Sequence, residues 1–186
     1  GLAGVTHLFN ACSQMQAREP GVVGAALADP RLSAGIIADG VHVHANALRV
    51  ASRAMAGRLF LVTDSMPTFG GPEDSFMLGG QEIIRVGNRL QSGSGTLAGA
   101  HLGMNEAVAN MVALADVPLA HALHMASGVP AAVLGLDQIY GGIAEGRPAS
   151  LTCLAADLTP EAVYVHGLRS AACQPAVVSR PDGNRW

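Results

Sequence analysis

Leu59-Phe60-Leu61-Val62-Thr63-Asp64 is a continuous apolar run that ends on a hydroxyl and a carboxylate. A strand that is apolar on both sides, with no alternation, is the pattern of a parallel sheet covered by helices on both faces. The carboxylate that closes it cannot enter a core without a partner. Asp64 is therefore either a working group, such as a general base beside an activated water, or a cap that turns the chain out of the strand.

Working outward, residues 5–9 read as another short buried strand, with His7 inside it. Residues 34–38 read as a third, closed by Asp39-Gly40. Between these lies a loop over 14–24, punctuated by Pro20-Gly21, with an apolar, small-residue helix over 22–27. Residues 46–56 carry helical spacing: Leu48, Ala51 and Met55 share one face, Arg49 and Arg53 another, and Gly57 stops the helix. Strand, loop, strand, helix, strand is the α/β order. In a (β/α)8 barrel the reactive groups sit at the C-terminal ends of the strands. His7, His42 and Asp64 each lie at or just beyond such an end.

The chain changes character over 67–99. Phe76 to Ile84 reads as a hairpin around Gly79-Gly80, Gly87-Asn88 turns the chain again, and Ser92-Gly93-Ser94-Gly95 is a loop. Helical periodicity returns over 104–115, with Met104, Val108, Met111, Val112 and Ala115 as the expected stripe. Pro118 opens a further helix whose face is Leu119, Leu123 and Ala126, Gly128 to Pro130 ends it, and 131–136 is a last helical piece. Strands are expected at 151–154, 162–165 and 174–179, with a turn at His166-Gly167 and a polar, frayed tail over 180–186.

Composition sets the outer limits. Hydrophobic residues are 49% of the 186 and charged residues 13%, enough apolar content for a large core. The net charge is −3 with no basic block, which disfavours nucleic acid as a partner. Cys12, Cys153 and Cys173 are scattered and odd in number, the pattern of reduced thiols in a cytoplasmic protein. No apolar run reaches the roughly 18 residues of a membrane span.

Other candidates each have two readings. His7, flanked by apolar residues, is a backbone-bonded core histidine or a metal ligand. His42 and His44 share a side if the segment is extended, as in a His-x-His metal pair, or His44 merely starts the next helix. Arg18 is a solvated arginine or a phosphate holder. The Gly-rich run from Ser92 to Gly99 lacks the lysine of a P-loop, so nucleotide binding is a poor inference. His121 and His124 share a helix face without other metal-site features.

Taken in order, Thr6-His7-Leu8-Phe9-Asn10-Ala11, Arg18-Glu19-Pro20-Gly21, Ile37-Ala38-Asp39-Gly40-Val41-His42, Leu61-Val62-Thr63-Asp64 and Gly95-Thr96-Leu97-Ala98-Gly99 resemble the N-acetylglucosamine-6-phosphate deacetylases of the amidohydrolase superfamily. Gly142 to Leu151 resembles the return of that superfamily's chain into its small β domain. The resemblance implies the last part of a TIM-like (β/α)8 metal-dependent hydrolase barrel over 1–140, interrupted by a hairpin and loop insertion over 67–99. It further implies strands of a small β-sandwich domain over 141–179. The reaction it implies is deacetylation of N-acetylglucosamine 6-phosphate to glucosamine 6-phosphate and acetate. Under it, His7 is a ligand of one catalytic divalent metal, zinc first and iron as the alternative, and Asp64 is the catalytic acid/base. Asn10 and Ala11 contact the sugar, Arg18 and His42 hold its phosphate, and the backbone at Leu97, Ala98 and Gly99 closes over it. A homodimer follows as well.

That family's remaining protein ligands, a glutamate and a histidine, lie upstream of the segment matching His7. The chain is thus expected to begin near the sixth barrel strand, as the C-terminal part of a longer enzyme. Two points depart from the family pattern: His44, where a polar or acidic residue is usual, and Ser150, where Asp or Asn is common. The alternatives are an amidohydrolase for another N-acyl or cyclic amide, and a truncated domain without catalysis.

Overall fold

The computed structural model describes residues 1–170. They fall into two compact units, one of Gly1–Gly142 and one beginning at Ile143.

In the first unit, β1 (Gly4–Val5), β2 (Ser33–Ile36) and β3 (Leu59–Leu61) form a parallel sheet in the order β1-β2-β3. Val5 pairs with Ala34 and Ile36 with Leu61. Because all three run the same way, their C-terminal ends share one edge of the sheet. The continuous apolar run of β3 follows from this setting: Leu59 and Leu61 are buried, as are Ala34, Ile36, Ile37 and Ala38 of β2 and its extension. Each large side chain so buried contributes about 1.5–3 kcal/mol.

The crossovers are helical. α1 (Gly21–Ala28) joins β1 to β2, and α2 (Ala45–Ala54) joins β2 to β3. On α2, Leu48 and Ala51 face the core and Met55 follows as a buried C-cap, in the expected register. The loop expected over 14–24 is shorter, because α1 already starts at Gly21. Its Val23, Gly24 and Ala26 are buried, which small side chains permit.

The single strand expected over 5–9 does not form: regular pairing stops at Val5. Leu8 is fully buried and its N–H donates to the Gly35 carbonyl at 2.8 Å. His7, Phe9 and Ala11 all have positive φ, at 33°, 79° and 51°. Burying Leu8 while keeping its bond to β2 curls the chain, which an extended strand could not do.

Beyond β3 comes an antiparallel meander, β4 (Ser75–Leu78), β5 (Gln81–Val86), β6 (Arg89–Ser92) and β7 (Leu97–Ala100). Leu78 pairs with Gln81 across Gly79-Gly80, both with positive φ, as a two-residue hairpin requires. The end of β7 bridges in parallel to Ser65, just past β3.

α3 (Met104–Ala115) matches the expected span, but its buried face is Ala107, Val108, Met111 and Ala115. Met104 and Val112 are exposed. The Glu106 carboxylate accepts from the Gly103 N–H at 2.7 Å, which fixes the helix start. On α4 (Leu119–Ala126) the buried residues are Ala122 and Met125, while Leu119 and Leu123 are exposed. Gly128 does not end that helix piece; it opens α5 (Gly128–Val133).

The second unit carries β8 (Leu151–Leu154), β9 (Pro160–Val165) and β10 (Leu168–Arg169), antiparallel in the order β10-β9-β8. His166-Gly167 makes the two-residue turn between Val165 and Leu168. The strand expected at 174–179 and the tail at 180–186 lie outside the described residues. No helix among the described residues is long and apolar enough to cross a membrane.

Candidate functional site

Three segments leave the same edge of the parallel sheet. The first carries His7. Its Nδ1 lies 2.9 Å from the Asn10 carbonyl oxygen, which can only accept, so Nδ1 carries the proton. This leaves Nε2 as the ring nitrogen to face a metal, the arrangement a metal-ligating histidine uses. The loop is held by further bonds: Asn10 N–H donates to the His7 carbonyl at 2.9 Å, and Gln14 Nε2 donates to the Phe9 carbonyl at 2.7 Å. Asn10 is half-buried and Ala11 exposed.

The second segment carries Asp39 and His42. Asp39 Oδ1 accepts from the Val41 and His42 N–H groups at 2.9 and 2.8 Å, and Oδ2 meets His42 Nδ1 at 2.6 Å. Both side chains are enclosed, at 5% exposure for His42 and 4% for Asp39. Burial pushes the Asp39 carboxyl up, but the His42 ring bond, the two backbone bonds and the His42 charge together hold it below the usual carboxylate range. The two-histidine reading of His42 and His44 is not what folds. His44 is exposed and caps α2, its Nδ1 accepting from the Asn46 N–H at 3.2 Å. Asp39 is the partner of His42, signalled in the sequence only by an aspartate three residues before a histidine, just past a buried strand.

The third segment carries Asp64, exposed and with φ of 51°. Its carbonyl accepts from the Ala100 N–H at 2.8 Å, and the Met66 N–H donates to the Ala100 carbonyl at 3.2 Å. Gly99, with φ of 75°, packs so closely that a Cβ there would lie 3.1 Å from the Asp64 carbonyl and 2.4 Å from Met66 Cγ. This brings the Leu97-Ala98-Gly99 run beside Asp64. His7 and Asp64 both adopt left-handed backbone at strand ends, a costly conformation that clusters at functional sites.

Arg18 is exposed in the loop before α1. The Ser92 to Thr96 loop closes on itself. Its Ser92 N–H donates to the Thr96 carbonyl, Gly95 N–H donates to the Ser92 carbonyl, and the Ser92, Ser94 and Thr96 hydroxyls form a chain. Ion chemistry rests on donor type. His7 offers an imidazole nitrogen and Asp64 carboxyl oxygens, donor types that fit a divalent cation of the zinc or iron kind. Among the described residues, no three His, Cys, Asp or Glu side chains converge as a metal-holding group.

The Amidohydrolase family pattern matches residues 5–172. The chain is 38% identical over 167 residues to the N-acetylgalactosamine-6-phosphate deacetylase of Escherichia coli O157:H7, which covers 90% of this chain and 44% of that protein. It is 35% identical over 167 residues to the N-acetylglucosamine-6-phosphate deacetylase of Vibrio furnissii, covering 90% and 42%. The crystal structure of N-acetylglucosamine-6-phosphate deacetylase from Pasteurella multocida superimposes with a TM-score of 0.88 at 34% identity, covering 91% of this chain and 45% of that one. The chain thus spans less than half the length of these relatives.

Proposed function

The chain belongs to the amidohydrolase family, and from that premise we propose that it carries part of the active site for deacetylating N-acetylglucosamine 6-phosphate, as a portion of a longer enzyme. The observation that carries the reading is the shared sheet edge from which His7, the Asp39–His42 pair and Asp64 all emerge. On this reading β1, β2 and β3 are the last strands of a (β/α)8 barrel within residues 1–140, with 67–99 inserted. β8, β9 and β10 then belong to a small β-sandwich domain over 141–179, ahead of a tail at 180–186.

His7 Nε2 would hold the cation, with Nδ1 anchored on Asn10 as ligating histidines are. A divalent cation bound there, zinc or iron, would supply Lewis acidity toward water and the acetyl carbonyl. Asp64 takes the proton of the attacking water as its oxygen bonds to the acetyl carbon. It then gives that proton to the amine nitrogen as the C–N bond breaks. Acetate and glucosamine 6-phosphate leave. Arg18 and His42 are the cationic groups for the phosphate, and charge-assisted bonds to its oxygens suit them. Asn10 and Ala11 contact the sugar, and the backbone of Leu97, Ala98 and Gly99 closes over it. The scattered thiols and absence of a basic block support a cytoplasmic enzyme acting on a small molecule, and the family resemblance supports a homodimer.

The test is acetate release by the natural protein, with zinc or iron present, from N-acetylglucosamine 6-phosphate and from its galacto epimer. Release that vanishes in Asp64→Asn supports the reading; no release from either sugar overturns it. Equal use of amides without phosphate, unaffected by Arg18→Ala, would favour a different amide substrate.

A further inference from the structure

The Asp39–His42 pair differs from the other described pairs in being enclosed. Arg31–Asp29, Arg49–Asp116 and Arg85–Asp74 each have at least one side chain well exposed, whereas His42 and Asp39 are 5% and 4% exposed. Enclosing a carboxylate and an imidazole is costly unless each meets a partner. Here every contact is local and directed. One Asp39 oxygen closes the turn by accepting from the Val41 and His42 N–H groups, and the other holds the His42 ring at Nδ1. The backbone just before it is fixed independently, by Asn110 Nδ2 donating to the Ala38 carbonyl at 2.8 Å.

This arrangement has a chemical consequence. An ionised carboxylate only accepts, so the Nδ1 facing it must carry a proton. The remaining ring atom, Nε2, then meets a substrate either as a bare lone pair or, in the imidazolium, as a donor. A phosphate monoester near neutral pH is largely a dianion whose oxygens accept. With Nδ1 already protonated, Nε2 can bind it only as the donor of a charged ring; a neutral Nε2–H ring would offer a weaker, uncharged bond instead. Asp39 supplies the opposite charge that makes such a ring tolerable in an enclosed place.

We propose that Asp39 is a positioning residue for the substrate's phosphate, fixing the proton of His42 on Nδ1 and presenting Nε2–H of the imidazolium to a phosphate oxygen. This rests on His42 being a phosphate holder. Asp39 does not touch the substrate and acts through the ring.

The test uses the natural protein with ¹⁵N-labelled histidine. Ring signals of His42, assigned by their loss in His42→Gln, are recorded near pH 8, where a free imidazole is mostly neutral. The expected wild-type tautomer is Nδ1–H; an Nε2–H tautomer overturns the proposal with no variant needed. Asp39→Asn keeps an oxygen for the turn but places an NH2 against Nδ1, so the ring should switch to Nε2–H. Asp39→Ser, which keeps a turn acceptor and withdraws from the ring, serves if the asparagine variant does not fold. Inorganic phosphate should shift the His42 signals in the wild type and do so about ten-fold more weakly in either variant. With N-acetylglucosamine 6-phosphate, KM should rise about ten-fold with kcat nearly kept. Phosphate binding unchanged in both variants overturns the role of Asp39. Wild-type phosphate binding without acetate release would instead sink the proposed reaction and leave the Asp39–His42 assignment standing.

Discussion

The Ala100 N–H donates to the Asp64 carbonyl at 2.8 Å, and the Met66 N–H donates back to the Ala100 carbonyl at 3.2 Å. These two bonds fasten the end of β7 to the segment leaving β3. They set the left-handed backbone of Asp64 by contacts made far along the chain. The close approach works because residue 99 has no side chain.

Gly99→Ala therefore tests the seam. A Cβ at that site meets Met66 Cγ at 2.4 Å and sits on backbone with φ of 75°. The expected cost is about 1–3 kcal/mol in denaturant unfolding, with a loss of acetate release beside it. Adding Met66→Ala should recover only part, since it relieves the clash and leaves the backbone strain.

Asp64→Asn separates chemistry from folding. Asparagine tolerates left-handed backbone nearly as well as aspartate, so the melting temperature should hold. Acetate release should fall by about 10²–10⁴-fold, the contribution of a general base. A parallel loss of thermal stability would show that Asp64 is the structural cap its place at the strand end also allows.

His7→Asn tests the ligand role on the same logic, as His7 also has positive φ. Metal analysis after dialysis should show zinc or iron retained by the natural protein and held at least about 100-fold more weakly by the variant. A chelator should abolish activity in the wild type and added metal restore it. Unchanged metal content in His7→Asn would remove His7 from the coordination sphere.

Arg58 was not singled out by its sequence context, yet it organises the opposite edge of the sheet. Its Nη1 donates to the carbonyls of Asp29 at 2.9 Å, of Ala26 at 3.4 Å and of Leu32. Its Nη2 donates to those of Leu27 and Ala54 at 3.4 and 3.2 Å. These carbonyls lie at or past the C-terminal ends of α1 and α2, where helices leave acceptors unpaired and favour positive charge. Arg58→Met should cost about 2–3 kcal/mol in denaturant unfolding, and a change no larger than that of a surface substitution would refute the assignment.

His101 gives the fold a pH dependence. Its ring is half-buried, with Nδ1 3.1 Å from Thr68 Oγ1, Nε2 3.3 Å from Arg85 Nη1, and Phe69 packed edge-on. Burial, and then the Arg85 charge, hold its pKa below the ordinary 6.5, against a smaller opposing pull from Glu106 and Asp74. Folding therefore favours the neutral ring. The stabilisation is complete above 6.5 and is lost as the pH falls through that value toward the lowered one. Urea unfolding at stepped pH should show a loss below 6.5 that shrinks in His101→Asn; an identical pH dependence in the variant would exclude His101 as its source.

Much of the architecture was legible because it is written in local chain chemistry. The apolar run before Asp64 reads as a strand buried on both faces; it does form a strand of the parallel sheet, with Leu59 and Leu61 buried and Phe60 half-buried. Gly79-Gly80 between apolar segments specified a tight hairpin, and the spacing over 104–115 specified α3. Helix faces were less legible. Met104 and Val112 fit the apolar period of α3 but are exposed, because periodicity tells which residues share a face and not which face meets the core. The apolar run over 5–9 also suggests a strand through His7, where burial of Leu8 curls the backbone instead.

The sequence by itself thus determined many of the elements, the order that marks an α/β chain, and the polar residues that follow its strands, since each depends on neighbours within a turn or two. Only the tertiary structure decided how those residues are held. The Asn10 carbonyl selects the His7 tautomer once the loop has curled, and Asp39 captures the His42 ring where both are enclosed. Ala100, at the end of the last strand of the four-stranded sheet, meets Asp64 although β4, β5 and β6 intervene in the chain. The first two are contacts three residues apart that form only once the backbone has curled or turned, and the third joins segments distant in the chain; where water is excluded, an unpaired polar atom is costly and each group must find a partner.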